Sequence, residues 1–233
     1  MVRGGNGEGW WYSPPTMAET ETVRRVAVVL FEDFTVLDVY GPVQAFASAR
    51  LTRADGSVQR LFEVVTVAEK AGPIKSGEGP TTHADHAFAD APAYDVLLVP
   101  GGFGTRQVVN NAPLLLALTA ASRRAAITTT VCTGSALLAR TGLMDGRPAT
   151  SNKVAWDWVV QQGPRVKWQR RARWVDDGDL VTSSGVSAGI DMALAVIAKL
   201  RGEEVSKNLA VATEYEWHRD ADWDPFAKVH GLV

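Results

Sequence analysis

Short apolar runs rich in β-branched residues alternate with helical stretches along most of this chain, and that alternation limits the folds open to it. Residues 25–31, 62–67, 95–100 and 127–131 each read as a buried strand, short and apolar on both sides of the pleat. Between them lie helical patterns. Residues 35–48 bring Val36, Val39, Val43 and Phe46 close to one face. Residues 105–110 and 113–124 follow, with Pro113 suited to a first turn. Residues 136–141, 187–199 and 203–214 read the same way. Asn152 is placed to cap a helix through Val154, Trp158 and Val159. Asp176-Asp177-Gly178 reads as a hairpin turn between residues 170–175 and 180–182. Strands that alternate with helices build a mostly parallel sheet covered on both faces, a flavodoxin-like three-layer α/β/α sandwich. Ligands in such sheets bind beyond the carboxyl ends of the strands. Segments 31–33, 100–104 and 132–133 should therefore converge in space.

The chain has 233 residues, enough for one large domain and too few for two of typical size. A net charge of −2 gives no basic footprint for nucleic acid. No apolar run approaches the roughly 20 residues needed to span a bilayer. A single cysteine excludes an internal disulfide and paired-cysteine zinc motifs. With no signal-peptide pattern, a reducing cytoplasm is the expected compartment. Residues 1–22 are rich in Gly and Pro and read as a flexible extension, with Met17 an alternative start and Trp10-Trp11-Tyr12 a contact site. Residues 23–215 form the domain. Residues 216–233 read as a tail, and Tyr215, Trp217 and Trp223 among acidic neighbours suggest an interface.

Chemistry concentrates at Cys132, the one thiol. It sits where the 127–131 strand turns through Thr133-Gly134-Ser135 into a helix. Such a turn holds the sulfur out of the sheet and aims it at unpaired helix N–H groups, which favour a thiolate. The same setting favours oxidation. Asp38 lies among Val36, Leu37, Val39 and Tyr40, so its carboxyl is expected to be buried and easily protonated. Glu32 and Asp33 read as solvated. Gly101-Gly102 closes a strand with a tight turn whose N–H groups can approach a ligand. Thr133 cannot act as a base near neutral pH, but its hydroxyl can bond a substrate or water. His83 and His86 find no third ligand and read as surface residues, so no metal site is expected.

Five spaced segments carry a resemblance: Phe31 with Asp38 and Gly41-Pro42, Val99-Pro100-Gly101-Gly102, Val131-Cys132-Thr133-Gly134, residues 142–150, and residues 185–191. Together, across about residues 24–215, they resemble the ThiJ/PfpI superfamily, within the class I glutamine-amidotransferase-like fold. Within it the chain is most similar to the isocyanide hydratase branch, where Cys-Thr-Gly replaces Cys-His-Gly. The resemblance implies that Cys132 is a nucleophile and that Asp38 is the acid beside it. It implies that the N–H groups of Gly102 and Thr133 bind developing charge, and that Val186 lines the pocket. A His-Trp pair expected after the Ala-Thr-Thr stretch is absent here, where Asn152-Lys153 follows Ser151.

The implied function is a cofactor-independent lyase that hydrates an isocyanide to an N-substituted formamide through a cysteine thioimidate. Its partners would be a small electrophilic substrate and a second copy of the chain in a homodimer. A glyoxalase or deglycase acting on methylglyoxal is the alternative enzyme. A redox-sensing or regulatory domain is the alternative outside catalysis; the 19 residues after Glu214 are too few for a helix-turn-helix module of the kind some relatives carry.

Overall fold

The structure, a computed structural model, describes residues 22–233. The expectations for Met17 and Trp10-Trp11-Tyr12 lie outside the described residues. The central sheet has seven strands: β1 (Arg24–Val29), β2 (Phe62–Ala68), β3 (His86–Ala87), β4 (Val96–Val99), β5 (Ile127–Thr130), β6 (Trp174–Asp176) and β7 (Leu180–Ser183). Their order is β6-β7-β5-β4-β1-β2-β3, and every pairing is parallel except the β6–β7 hairpin. The register sets Val28 beside Leu98 and Leu97 beside Thr128. All residues of β4, β5 and β7 are buried, which is why their sequences lack a polar-out alternation.

Among the described residues eight helices flank the sheet: α1 (Val36–Ser48), α2 (Gly104–Val108), α3 (Ala112–Arg124), α4 (Gly134–Arg140), α5 (Trp156–Gln162), α6 (Ala188–Arg201), α7 (Glu203–Ala212) and α8 (Pro225–Val229). α1, α6 and α7 pack as one group, and α2 to α5 as another. Asn111 caps α3 by accepting the Leu114 N–H, and Pro113 occupies its first turn. This is the α/β/α sandwich that the strand–helix alternation implies. No helix among the described residues is long and apolar enough to cross a membrane.

Three small ribbons were not legible in the pattern: Arg50–Thr52 with Val58–Arg60, Gly72–Lys75 with Thr81–Ala84, and Pro148–Ala149 with Lys167–Trp168. The stretch read as a tail docks on its own chain. The Arg173 N–H bonds Ala221 O at 2.7 Å, the Asp224 N–H bonds Arg171 O at 2.7 Å, and Ala227 is buried. The aromatic residues expected at an interface take part in this docking: Tyr215 donates to Asp191, and Trp223 lies under the Arg171 guanidinium.

Candidate active site around Cys132

Four strands end at one edge of the sheet, and each delivers a segment there. β1 leads toward α1 and Asp38. β4 leads to Gly101-Gly102, β5 to Cys132, and β7 to Gly185-Val186. Cys132 has a φ of +56°, in the left-handed region, a conformation that costs a residue with a β-carbon roughly 1–2 kcal/mol. Its backbone is over-determined by neighbours. Its N–H bonds Ser184 O at 3.0 Å, and its carbonyl accepts from the hydroxyls of Ser135 (3.1 Å) and Ser151 (2.9 Å). Such strain persists only where surrounding bonds impose it, and it collects at functional positions.

Cys132 is nearly sealed from solvent, at 5% exposure. The backbone N–H groups of Thr133 and Val186 face its sulfur, and the Asn152 amide donates to that sulfur at 3.1 Å. Val186 reaches this position through a φ of +42°. These donors favour the thiolate, but burial, with the Asp38 charge second, outweighs them. The Cys132 thiol is held well above the usual thiol range. The N–H groups expected to favour a thiolate are in place, but they offset only part of the desolvation.

Asp38 sits in the first turn of α1, fully buried. Burial pushes its carboxyl up to about 7; the Gly101 N–H and the Cys132 thiol pull the other way, and the Glu78 charge adds to the rise. Oδ2 accepts the Gly101 N–H at 2.8 Å, while Oδ1 has no partner of regular hydrogen-bond geometry. A buried carboxyl that changes charge near neutrality, electrostatically coupled to a thiol, is able to exchange a proton with it.

The glycine turn does different work from that expected. The Gly102 N–H is occupied by the Thr133 hydroxyl at 3.0 Å, so it is not free to bind a substrate's charge in this conformation. That hydroxyl also lies 3.1 Å from the Thr105 hydroxyl, and Thr105 donates to Gly102 O at 2.7 Å. The Thr133 side chain thus ties the β4 turn to the start of α4, and its contribution to the sulfur is its backbone N–H. Gly101 must lack a side chain, because a Cβ there would lie 2.6 Å from Thr133 N and 2.8 Å from Asp38 Oδ2.

Glu32 and Asp33 are used by loops: Glu32 accepts the Lys75 N–H and Asp33 accepts the Gln107 amide. The four histidines lie away from the sulfur. His83 and His86 sit on a ribbon and an edge strand, His218 bonds Trp223 O, and His230 follows α8. Among the described residues no group of three or more metal-ligating side chains is gathered.

Asn152 is the residue whose role the sequence reading missed. Its Oδ1 accepts the Ala155 N–H at 2.8 Å in the turn before α5, but the N-cap of α5 is Ala155, so the expected side-chain cap is not formed. Its other half faces the sulfur. The signal lay in its position, two residues beyond Thr150, where the resemblance led one to expect a histidine.

A match to the DJ-1/PfpI family extends over residues 24–199. The chain belongs to the DJ-1/PfpI family. It is 29% identical over 191 residues to an isonitrile hydratase of Pseudomonas putida, covering 82% of this chain and 78% of that one. It is 27% identical over 208 residues to the HTH-type transcriptional regulator GbdR of Pseudomonas aeruginosa; that match covers 88% of this chain and 54% of the regulator, so the chain spans about half the regulator's length. Among solved structures, a ThiJ/PfpI family protein from Pseudomonas syringae superposes with a TM-score of 0.74 at 27% identity, covering 88% of this chain and 83% of that one.

Proposed function

We propose that this protein hydrates an isocyanide to an N-substituted formamide, with Cys132 as nucleophile and Asp38 as proton carrier. The observation that carries the reading is a buried carboxyl, pushed up to about 7 and electrostatically coupled to a thiol that has no histidine beside it. In amide hydrolysis Asp38 alone would have to protonate a leaving amine, since neither Thr133 nor Asn152 can serve. Addition to an isocyanide expels nothing. The similarity to an isonitrile hydratase supports the same choice.

The thiol proton passes to the Asp38 carboxylate, and the sulfur forms a bond to the terminal carbon of R–NC. Asp38 then delivers that proton to the same carbon, giving the thioimidate R–N=CH–S–Cys132. Water adds across the C=N bond. The C–S bond breaks, the thiol is restored, and R–NH–CHO leaves. Covalent attachment and proton transfer share the work, the latter worth about 10²- to 10⁴-fold. Incubation with cyclohexyl isocyanide, with formamide followed by chromatography, tests the reading. Cys132→Ala should abolish turnover; undiminished formamide formation in that variant would remove the covalent route.

The regulator among the relatives favours a second reading, in which the domain senses rather than turns over its ligand. A stable sulfinate on Cys132 after mild peroxide, without turnover of isocyanide, supports sensing. Lactate from methylglyoxal at the higher rate would instead make the protein a glyoxalase.

A further inference from the structure

We propose that Asn152 is a fixed hydrogen-bond donor to the Cys132 sulfur, built to hold it as a thiolate during reaction and thus a third working member of the site. Three donors converge on this sulfur from three segments: the Thr133 N–H, the Val186 N–H and the Asn152 amide. A neutral thiol sulfur is a weak acceptor and gains little from three N–H groups. A thiolate gains from each of them, as any anion does in a site of low dielectric. The arrangement therefore fits the charged form, even though the resting group is protonated.

The direction of the amide is set by its surroundings. Oδ1 takes the Ala155 N–H at 2.8 Å, so the NH₂ end is the one presented to sulfur. The loop that carries it is fastened on both sides. The Thr150 N–H bonds the Thr182 hydroxyl, and the Ser151 hydroxyl bonds Cys132 O. The Lys153 ammonium binds Thr150 Oγ1 at 2.7 Å and Ala172 O at 2.7 Å. Across from the amide, Gly185 leaves the space it fills; a Cβ there would lie 2.7 Å from Asn152 Nδ2. A side chain that served only to hold the Ala155 N–H would need none of this on its NH₂ side.

An amide does not titrate, so Asn152 holds the thiolate equally at every working pH. The pH dependence of the sulfur then falls to the charged groups that face it, Asp38 on α1 and, through Asp38, Glu78.

The test is the alkylation rate of the single thiol by iodoacetamide, followed by mass spectrometry across the neutral range, which needs no isocyanide turnover. Failure here is therefore distinguishable from failure of the hydratase reading. Asn152→Leu should slow alkylation about tenfold or more and move its pH profile upward. Asn152→Asp keeps the acceptor for Ala155 but loses the donor, and should slow it further. Gly185→Ala, which displaces the amide without changing it, should slow it in the same direction. Val154→Ala changes an exposed neighbour in the same loop without removing the donor, and should leave the rate within about twofold of native. Melting curves identify any variant that does not fold, and Gly185→Ala then carries the test. Native-like alkylation in Asn152→Leu, or in Gly185→Ala where Asn152→Leu does not fold, would overturn the proposal. So would a loss in Val154→Ala equal to that in Asn152→Leu.

Discussion

The backbone N–H of Gly101 donates to Oδ2 of Asp38 at 2.8 Å and holds a carboxyl in a place that water does not reach. This one bond sets the direction of an acid that would otherwise have no fixed orientation in an apolar cavity. It also connects the end of β4 to the first turn of α1, so the acid and the thiol answer to the same frame.

Removing the Asp38 charge should move two readouts in opposite directions. In Asp38→Asn the thiol loses the nearby negative charge that helps hold it up, so alkylation at mildly alkaline pH should quicken several-fold. Formamide production should fall by about 10²-fold or more, because the proton carrier is gone. Parallel alkylation and turnover assays check this; a fall in both would show that Asp38 acts on the thiol alone.

The same carboxyl should make the fold sensitive to pH. Its value is 3.8 in an ordinary setting and about 7 when buried here. Between those values the folded state keeps a proton that the unfolded state releases. Stability should therefore fall as pH rises from about 4 to about 7, by on the order of 2–4 kcal/mol, and level off above that. Asp38→Asn should lack this slope. Urea titrations of both proteins at matched pH values measure the difference.

Gly101→Ala should damage both the frame and the chemistry. The added methyl meets Thr133 N, Thr133 Oγ1 and Asp38 Oδ2, all under 3 Å. Overpacking of this kind costs about 1–3 kcal/mol. Turnover should suffer more than stability, because both crowded neighbours belong to the site. Denaturation and kinetics of the same preparation separate the two effects.

A buried ion pair holds the last part of the chain. Arg173 binds Asp191 through Nε at 2.8 Å and a terminal nitrogen at 2.6 Å, and Asp191 also receives Tyr215 OH and the His218 N–H at 3.0 Å each. Arg173→Met leaves a fully buried carboxylate without its cation and should cost about 3–5 kcal/mol. The pair Arg173→Met with Asp191→Leu should recover part of that loss. Limited proteolysis should cut residues 215–224 of the single variant first.

The sheet was legible because its strands are apolar on both faces and stand between recognisable helices. Residues 62–67, 95–100 and 127–131 match β2, β4 and β5 to within a residue or two, and Asp176-Asp177-Gly178 does make the β6–β7 turn. The short ribbons were not legible, since strands of two to four residues carry too few side chains to show a period. At the site, Cys132 and Asp38 could be singled out from their neighbours in sequence. The occupied N–H of Gly102 could not, because it depends on the rotamer of Thr133, a residue 31 positions away. Asn152 was half legible: its bond to the Ala155 N–H is local, whereas its reach to sulfur depends on where two strands end. The docking of the tail was not legible because its residues and their partners, Asp191 and Arg171, meet only in three dimensions.

Asn152 and Lys153 are consecutive yet face different neighbourhoods, one the sulfur and the other the carbonyl of Ala172. The next residue after Ala172 is the arginine that grips Asp191, and Asp191 grips the strand of chain at Tyr215 and His218. Like a guy-rope, this line of contacts runs from the far end of the polypeptide to the reactive atom. Trimming the chain at residue 214 would remove no group that touches the sulfur, yet it would slacken the line that holds the Asn152 amide against it.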